Sequence, residues 1–164
     1  MILTGSEIQK AIQCGDIIIS DFDVSQINPN SYNYHLGPIL KVFDYFDGEK
    51  AVFKQKVIPS TGYLLKPGQT YLGNTKEIIG SNKYAMSLIG RSSVGRLGLF
   101  LQVSANLGHT TSEHKWTLEL VAAKPIILYA GMRIGQVSFW TNLGRIKPFS
   151  SVYANFNEAH EAIL

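Results

Sequence analysis

A chain of 164 residues with 15 Lys and Arg against 12 Asp and Glu, and a single Cys, already narrows the field. It is about one domain of chain, able to bury a core without help from cross-links, and one thiol excludes an internal disulfide and fits a reducing compartment. A net charge of +3 with no run of like charge gives no support to a nucleic-acid arm and suits a small anionic ligand.

The opening Met1-Ile2-Leu3 lacks a basic region followed by an apolar one, so no secretory signal is expected. No apolar stretch is long enough to span a bilayer, and a cytoplasmic protein is expected. Thr4 and Glu7 have the spacing of a capping box, Ile8, Ala11 and Ile12 recur at helical spacing, and Gly15 supplies a stop. This predicts a short amphipathic helix over about 6–14. Residues 16–20 are rich in β-branched side chains and read as a strand. The turn-rich 27–31 follows, with Pro29 holding Asn28 extended.

From Tyr32 the pattern is nearly all β. Strands are predicted at 40–45, 51–58, 62–65, 70–75, 83–89, 98–104, 116–122, 126–129 and 134–141. Turns are read at Asp47-Gly48, Pro67-Gly68, Gly80-Ser81-Asn82 and Ala130-Gly131. Strands at such spacing make a sandwich or barrel, so residues 1–164 are expected to form one all-β domain with a short N-terminal helix. Residues from about 142 onward form a tail suited to a lid. Phe139 and Trp140 are expected in the core, Tyr32, Tyr34 and His35 in structural roles, and His114 and Lys115 at the surface.

Chemistry concentrates in Gly90-Arg91-Ser92-Ser93-Val94-Gly95-Arg96, which is read as a loop. Glycines let backbone amides approach an anion, hydroxyls donate to phosphate oxygens, and guanidinium groups add charge-assisted bonds. The ending of a Walker loop is missing, so the cluster fits either a phosphate cradle or a solvated, salt-bridged loop. The second candidate is Glu119. Strand alternation puts it on one face with Thr117, opposite Trp116, Leu118 and Leu120. A carboxylate there is either solvent-facing or buried for function. Of four histidines only His109 and His114 lie close in sequence, and one Cys cannot complete a zinc-deaminase signature, so no metal site is expected.

The 90–99 segment, Trp116-Thr117-Leu118-Glu119-Leu120, Tyr129-Ala130-Gly131-Met132-Arg133-Ile134-Gly135-Gln136 and Asn30-Ser31-Tyr32-Asn33-Tyr34-His35-Leu36-Gly37 together resemble the dCTP deaminase family, over residues 1 to about 141. The resemblance implies a distorted, jelly-roll-like β-barrel of the dUTPase type and a homotrimer with sites between subunits. It also implies zinc-independent hydrolytic deamination of a cytosine nucleotide, most directly dCTP to dUTP and ammonia. Glu119 matches the general base, Ser92 and Arg96 the groups that hold and polarise water and base, and Arg91 and Ser93 the phosphate holders. Ala105 matches a small residue beside the base, and Gln136 and Tyr153 match positions near the nucleotide. A magnesium ion, if one is used, is expected to arrive with the substrate phosphates.

The chain also departs from that family. Where the family carries a His, then an Asp followed by Gly and an aromatic, this chain has Gln102, His109, Thr111 and Ser112. That Asp serves phosphate cleavage, which counts against a dUTPase-like phosphohydrolase. The aromatic selects deoxyribose, so altered sugar selection is expected. Val152 and Phe156 replace phosphate-binding residues of the tail. The alternatives left by the sequence are a catalytically silent nucleotide-binding trimer and a dUTPase-like phosphohydrolase.

Overall fold

The computed structural model describes residues 1–48, 50–102, 104–150 and 156–161. The N-terminal helix α1 runs over Gly5–Gln13 and buries Ile8 and Ala11. Its end closes on Gly15, whose φ of +76° suits a residue without Cβ, and the Asp16 N–H reaches the Ala11 carbonyl at 2.9 Å. The capping box does not form: Thr4 makes no side-chain cap bond, and its Oγ1 lies 3.1 Å from Ser6 Oγ.

The strands then follow as β1 (Ile17–Ile19), β2 (Ile27–Asn28), β3 (Ser31–His35), β4 (Ile39–Asp47), β5 (Lys50–Val57), β6 (Tyr63–Leu65), β7 (Thr70–Asn74), β8 (Ile79–Ser81) and β9 (Tyr84–Gly90). A short helix α2 (Ser92–Arg96) precedes β10 (Leu99–Leu101), β11 (Leu107–Gly108), β12 (Glu113–His114), β13 (Thr117–Ala122), β14 (Ile126–Leu128) and β15 (Arg133–Thr141). They form two five-stranded sheets, β10-β13-β7-β4-β5 and β11-β9-β15-β3-β2, with a three-stranded sheet β1-β8-β12 and the pair β14-β6. The expected all-β architecture is thus built from open sheets around one core.

That core takes Tyr32, Leu88, Val137 and Phe139 from one large sheet and Leu40, Tyr71, Leu118 and Leu120 from the other. Each such buried side chain contributes about 1.5–3 kcal/mol through removal from water. Alternation sends Phe139 inward and leaves its neighbour Trp140 43% exposed, so only the first of the two is a core residue. Three other expectations also change. Ser31–His35 is a strand, Gly80-Ser81 lies in β8 rather than a turn, and the 91–96 segment contains a helix rather than a loop. Gly80 pairs with Ile18 on one side and Glu113 on the other, and it is glycine because Ser112 and Glu113 stand within 2.6–2.7 Å of where a Cβ would be.

A second close approach fixes the end of β9. A Cβ on Gly135 would lie 2.1 Å from Tyr34 Cζ and Oη. The space this glycine leaves lets the buried Tyr34 donate to the Ile89 carbonyl at 3.1 Å. Burial pushes the Tyr34 phenol well above its ordinary range. Among the described residues, no helix is long and apolar enough to cross a membrane.

Candidate active site

Strand β13 lies between β10 and β7, with Leu120 opposite Leu101 and Glu119 opposite Leu72. Leu118, Leu120 and Ala122 face the core, while Thr117, Glu119 and Val121 are half-buried on the other face. The alternation read from the sequence therefore places Glu119 correctly. On that face is a cavity of about 340 Å³, with Ala105, His109, Ser112, His114, Trp116 and Glu119 in its lining.

Two aromatic contacts close it from the tail. His109 stacks on Phe149 at 4.8 Å between centroids, and Phe156 stacks on His160 at 4.0 Å. The Phe149 amide donates to Thr111 Oγ1 at 2.7 Å, and Thr111 holds φ +75°, a conformation that strains a β-branched residue. Further along, Asn157 Oδ1 accepts from the Lys115 amide, the His160 amide donates to Thr117 Oγ1, and Lys41 pairs with Glu161 at 2.8 Å. Burial pushes the Glu161 carboxyl up, but the Lys41 bond, its own backbone amide and the charge of Lys41 together outweigh it, and the group sits below its ordinary range.

His114 is buried, not at the surface as the sequence suggested. Its ring packs against Trp116 at 4.2 Å, and Nδ1 lies 2.9 Å from the Lys115 carbonyl, which can only accept, so Nδ1 carries the proton. Ser112 is 1% exposed, and its hydroxyl has no partner among the described residues. Beside this cavity, and sharing Leu107, His109 and Phe149 with it, lies an open hollow of about 610 Å³ lined by Arg145 and Lys147. The sequence reading missed both cations, Phe149, and the tail contacts, because long-range packing alone brings them here.

The arginine-serine cluster lies elsewhere in the single chain. Among the described residues, Arg91, Ser92, Ser93 and Arg96 do not line the Glu119 cavity. Val94 is buried and anchors α2, whereas Ser92, Ser93 and Arg96 face outward and Arg91 is half-buried. The launch point of this helix is held by Gln136, which accepts from Ser31 Oγ at 2.8 Å and donates to the Gly90 carbonyl at 3.4 Å. Gln136 thus braces the cluster and is itself outside the cavity. Tyr153 and Val152 lie outside the described residues. Among those described, no three or more His, Cys, Asp or Glu side chains gather as metal ligands would.

A family model described as dCTP deaminase-like matches residues 2–142. A Clostridium beijerinckii protein named "dCTP deaminase, dUMP-forming" is 44% identical over 155 residues, covering 92% of this chain and 88% of that one. A Clostridium botulinum protein of the same name is 41% identical over 168 aligned residues, covering 100% and 96%. A Rhodopirellula baltica protein named dCTP deaminase is 36% identical, covering 100% and 84%. The crystal structure of 2′-deoxycytidine 5′-triphosphate deaminase from Agrobacterium tumefaciens superposes with a TM-score of 0.68 at 22% identity, over 86% of this chain and 48% of that one. That last likeness is one of fold.

Proposed function

Because the chain belongs to the dCTP deaminase-like family, we propose that it hydrolyses the C4 amino group of a cytosine deoxynucleotide, turning dCTP into dUTP and ammonia, with Glu119 as general base. The observation that carries this reading is that Glu119 is the one carboxylate among the described residues lining the cavity. In the proposed step the carboxylate takes a proton from water as the oxygen bonds to C4. That proton passes to N3, the second proton of the added water passes through the carboxylate to the amino group, and the C4–N bond breaks to release ammonia and leave a C4 carbonyl. A positioned base of this kind is worth about 10²–10⁴-fold in rate.

Ser92 and Arg96 polarise the water and base in this reading, Arg91 and Ser93 hold phosphates, and magnesium, where used, rides on those phosphates. All four residues come from a neighbouring copy in a homotrimer. Their absence from the lining of the cavity in the single chain supports that arrangement. Ala105 and His109 face the nucleotide from the cavity wall, and Tyr153 is kept as a tail contact.

The experiment is ammonia release from dCTP, CTP and dCMP by the native chain and by Glu119→Gln. Loss of release with nucleotide binding retained supports the base; undiminished release by the variant refutes it. A chain that binds nucleotide but releases nothing across the panel is a sensor instead. A second reading, hydrolysis onward to dUMP, is favoured by the "dUMP-forming" name of relatives at 40–44% identity. It requires a second water, and His109, which lines the cavity, is the side chain proposed to activate it. Recovery of dUMP and pyrophosphate rather than dUTP, abolished by His109→Phe, supports that reading; dUTP as sole nucleotide product dismisses it.

A further inference from the structure

The sheet that carries Glu119 ends in an unusual way. Strand β10 pairs with β13 through Leu101 and Leu120, and the next residue, Gln102, still donates its amide to the Glu119 carbonyl at 3.3 Å. In a regular antiparallel pair the Glu119 amide would return a bond to the Gln102 carbonyl. It does not, because Gln102 takes φ +50° and its backbone turns away. The side chain stands in: Gln102 Oε1 accepts from the Glu119 amide at 2.8 Å. At its other end Nε2 donates to the Thr117 carbonyl at 3.2 Å and to the Ala105 carbonyl at 3.4 Å.

A carboxamide has the donor and acceptor of a peptide group, so this side chain continues the ladder for one more rung after the backbone has left it. The departure matters for the site. Ala105, three residues on, lines the same cavity as Glu119. One side chain therefore ties three points together: the backbone of Glu119, that of Thr117 on the same face, and the wall at Ala105. A non-glycine residue in the left-handed region persists only where its surroundings over-determine it, and these bonds do so.

We infer that Gln102 is a positioning residue: its amide sets the distance between the Glu119 strand and the Ala105 wall, and so holds the carboxylate where base and water meet. This rests on the reading of Glu119 as general base.

The test compares Gln102→Met, which keeps length but loses the bonds, with Gln102→Glu, using dCTP turnover and thermal unfolding of the full chain. For Gln102→Met, kcat falls about 10²-fold, the effect of misplacing a reacting group by about 1 Å, while KM stays within about threefold. Gln102→Glu supplies a second readout. Its carboxyl regains a donor only when protonated, so its kcat relative to the native chain rises as pH falls. The same ratio for Gln102→Met stays flat with pH. A native kcat for Gln102→Met, a loss lying wholly in KM, or a pH-independent ratio for Gln102→Glu overturns the inference. Glu119→Gln is measured alongside. If it is inactive while Gln102→Met is native, this inference alone falls; if it is active, the base reading and this inference fall together.

Discussion

Replacing Gly135 by alanine tests the link between packing and the candidate site most directly. The added Cβ would stand 2.1 Å from Tyr34 Cζ and Oη, short of ordinary carbon contact by roughly 1.5 Å. Tyr34 is fully buried in the core and has nowhere to go without moving its neighbours. Overpacking of this kind costs about 1–3 kcal/mol. If Tyr34 tilts away, its buried hydroxyl also loses its bond to the Ile89 carbonyl, at a further cost of about 1–3 kcal/mol. The sum, about 2–6 kcal/mol, corresponds to a fall in Tm of roughly 5–20 °C for a chain this size. Because Ile89 and Gly90 launch α2, turnover is expected to fall even in the fraction that stays folded. Thermal unfolding followed by tyrosine fluorescence measures the first effect, and dCTP deamination below the transition measures the second. The double variant Tyr34→Leu with Gly135→Ala should recover part of the loss in Tm relative to the sum of the single variants. A Tm for Gly135→Ala within about 2 °C of the native value would refute the reasoning.

Thr111→Ala retains the strained backbone but loses the hydroxyl that accepts from Phe149, so trypsin should cut after Arg145 faster than in native protein, whereas Thr111→Ser should behave as native. Equal cutting of the two variants speaks against the anchor. The Glu161 carboxyl, lowered from 4.5 by Lys41 despite its burial, contributes stability that is complete above 4.5 and lost as pH falls through the lowered value. The Tm difference between native protein and Lys41→Met should therefore shrink below pH 4.5, and a constant difference down to about pH 3 denies the pair a role. Since Ser112 offers a buried hydroxyl with no partner among the described residues where the resemblance has an aromatic, CTP should be deaminated with a kcat/KM within about tenfold of that for dCTP. Discrimination above about 10³-fold dismisses this view of the pocket.

Much of the fold was legible because β13 alternates along its whole length and β15 does so over 135–140, and the period of two in β13 also oriented Glu119. Strand β3 was missed for the opposite reason. Ser31, Tyr32, Asn33 and Tyr34 are all buried, so no alternation marks them, and Asn33 is satisfied there by Asn28. Gly80 and Ser81 carry turn chemistry by composition, and only their long-range pairing, with β1 on one side and β12 on the other, makes them strand. The helix α2 is five residues long, too short for a helical period to declare itself. The tail contacts and the Gln102 clamp join residues whose meeting no local pattern announces. The arginine-serine cluster was found by chemistry, but its distance from the cavity in one chain is a property of the fold.

The open sheets have a bearing on how this protein behaves at high concentration. An unpaired strand edge is a template onto which another chain can add. Among the described residues, seven of the eight edge strands, β1, β12, β10, β11, β2, β14 and β6, are only two or three residues long. The exception, β5, has eight residues, and three of them are the lysines Lys50, Lys54 and Lys56. Like charges along an edge repel a second copy laid beside it, so the chain can leave its barrel unclosed and still resist fibril-like stacking.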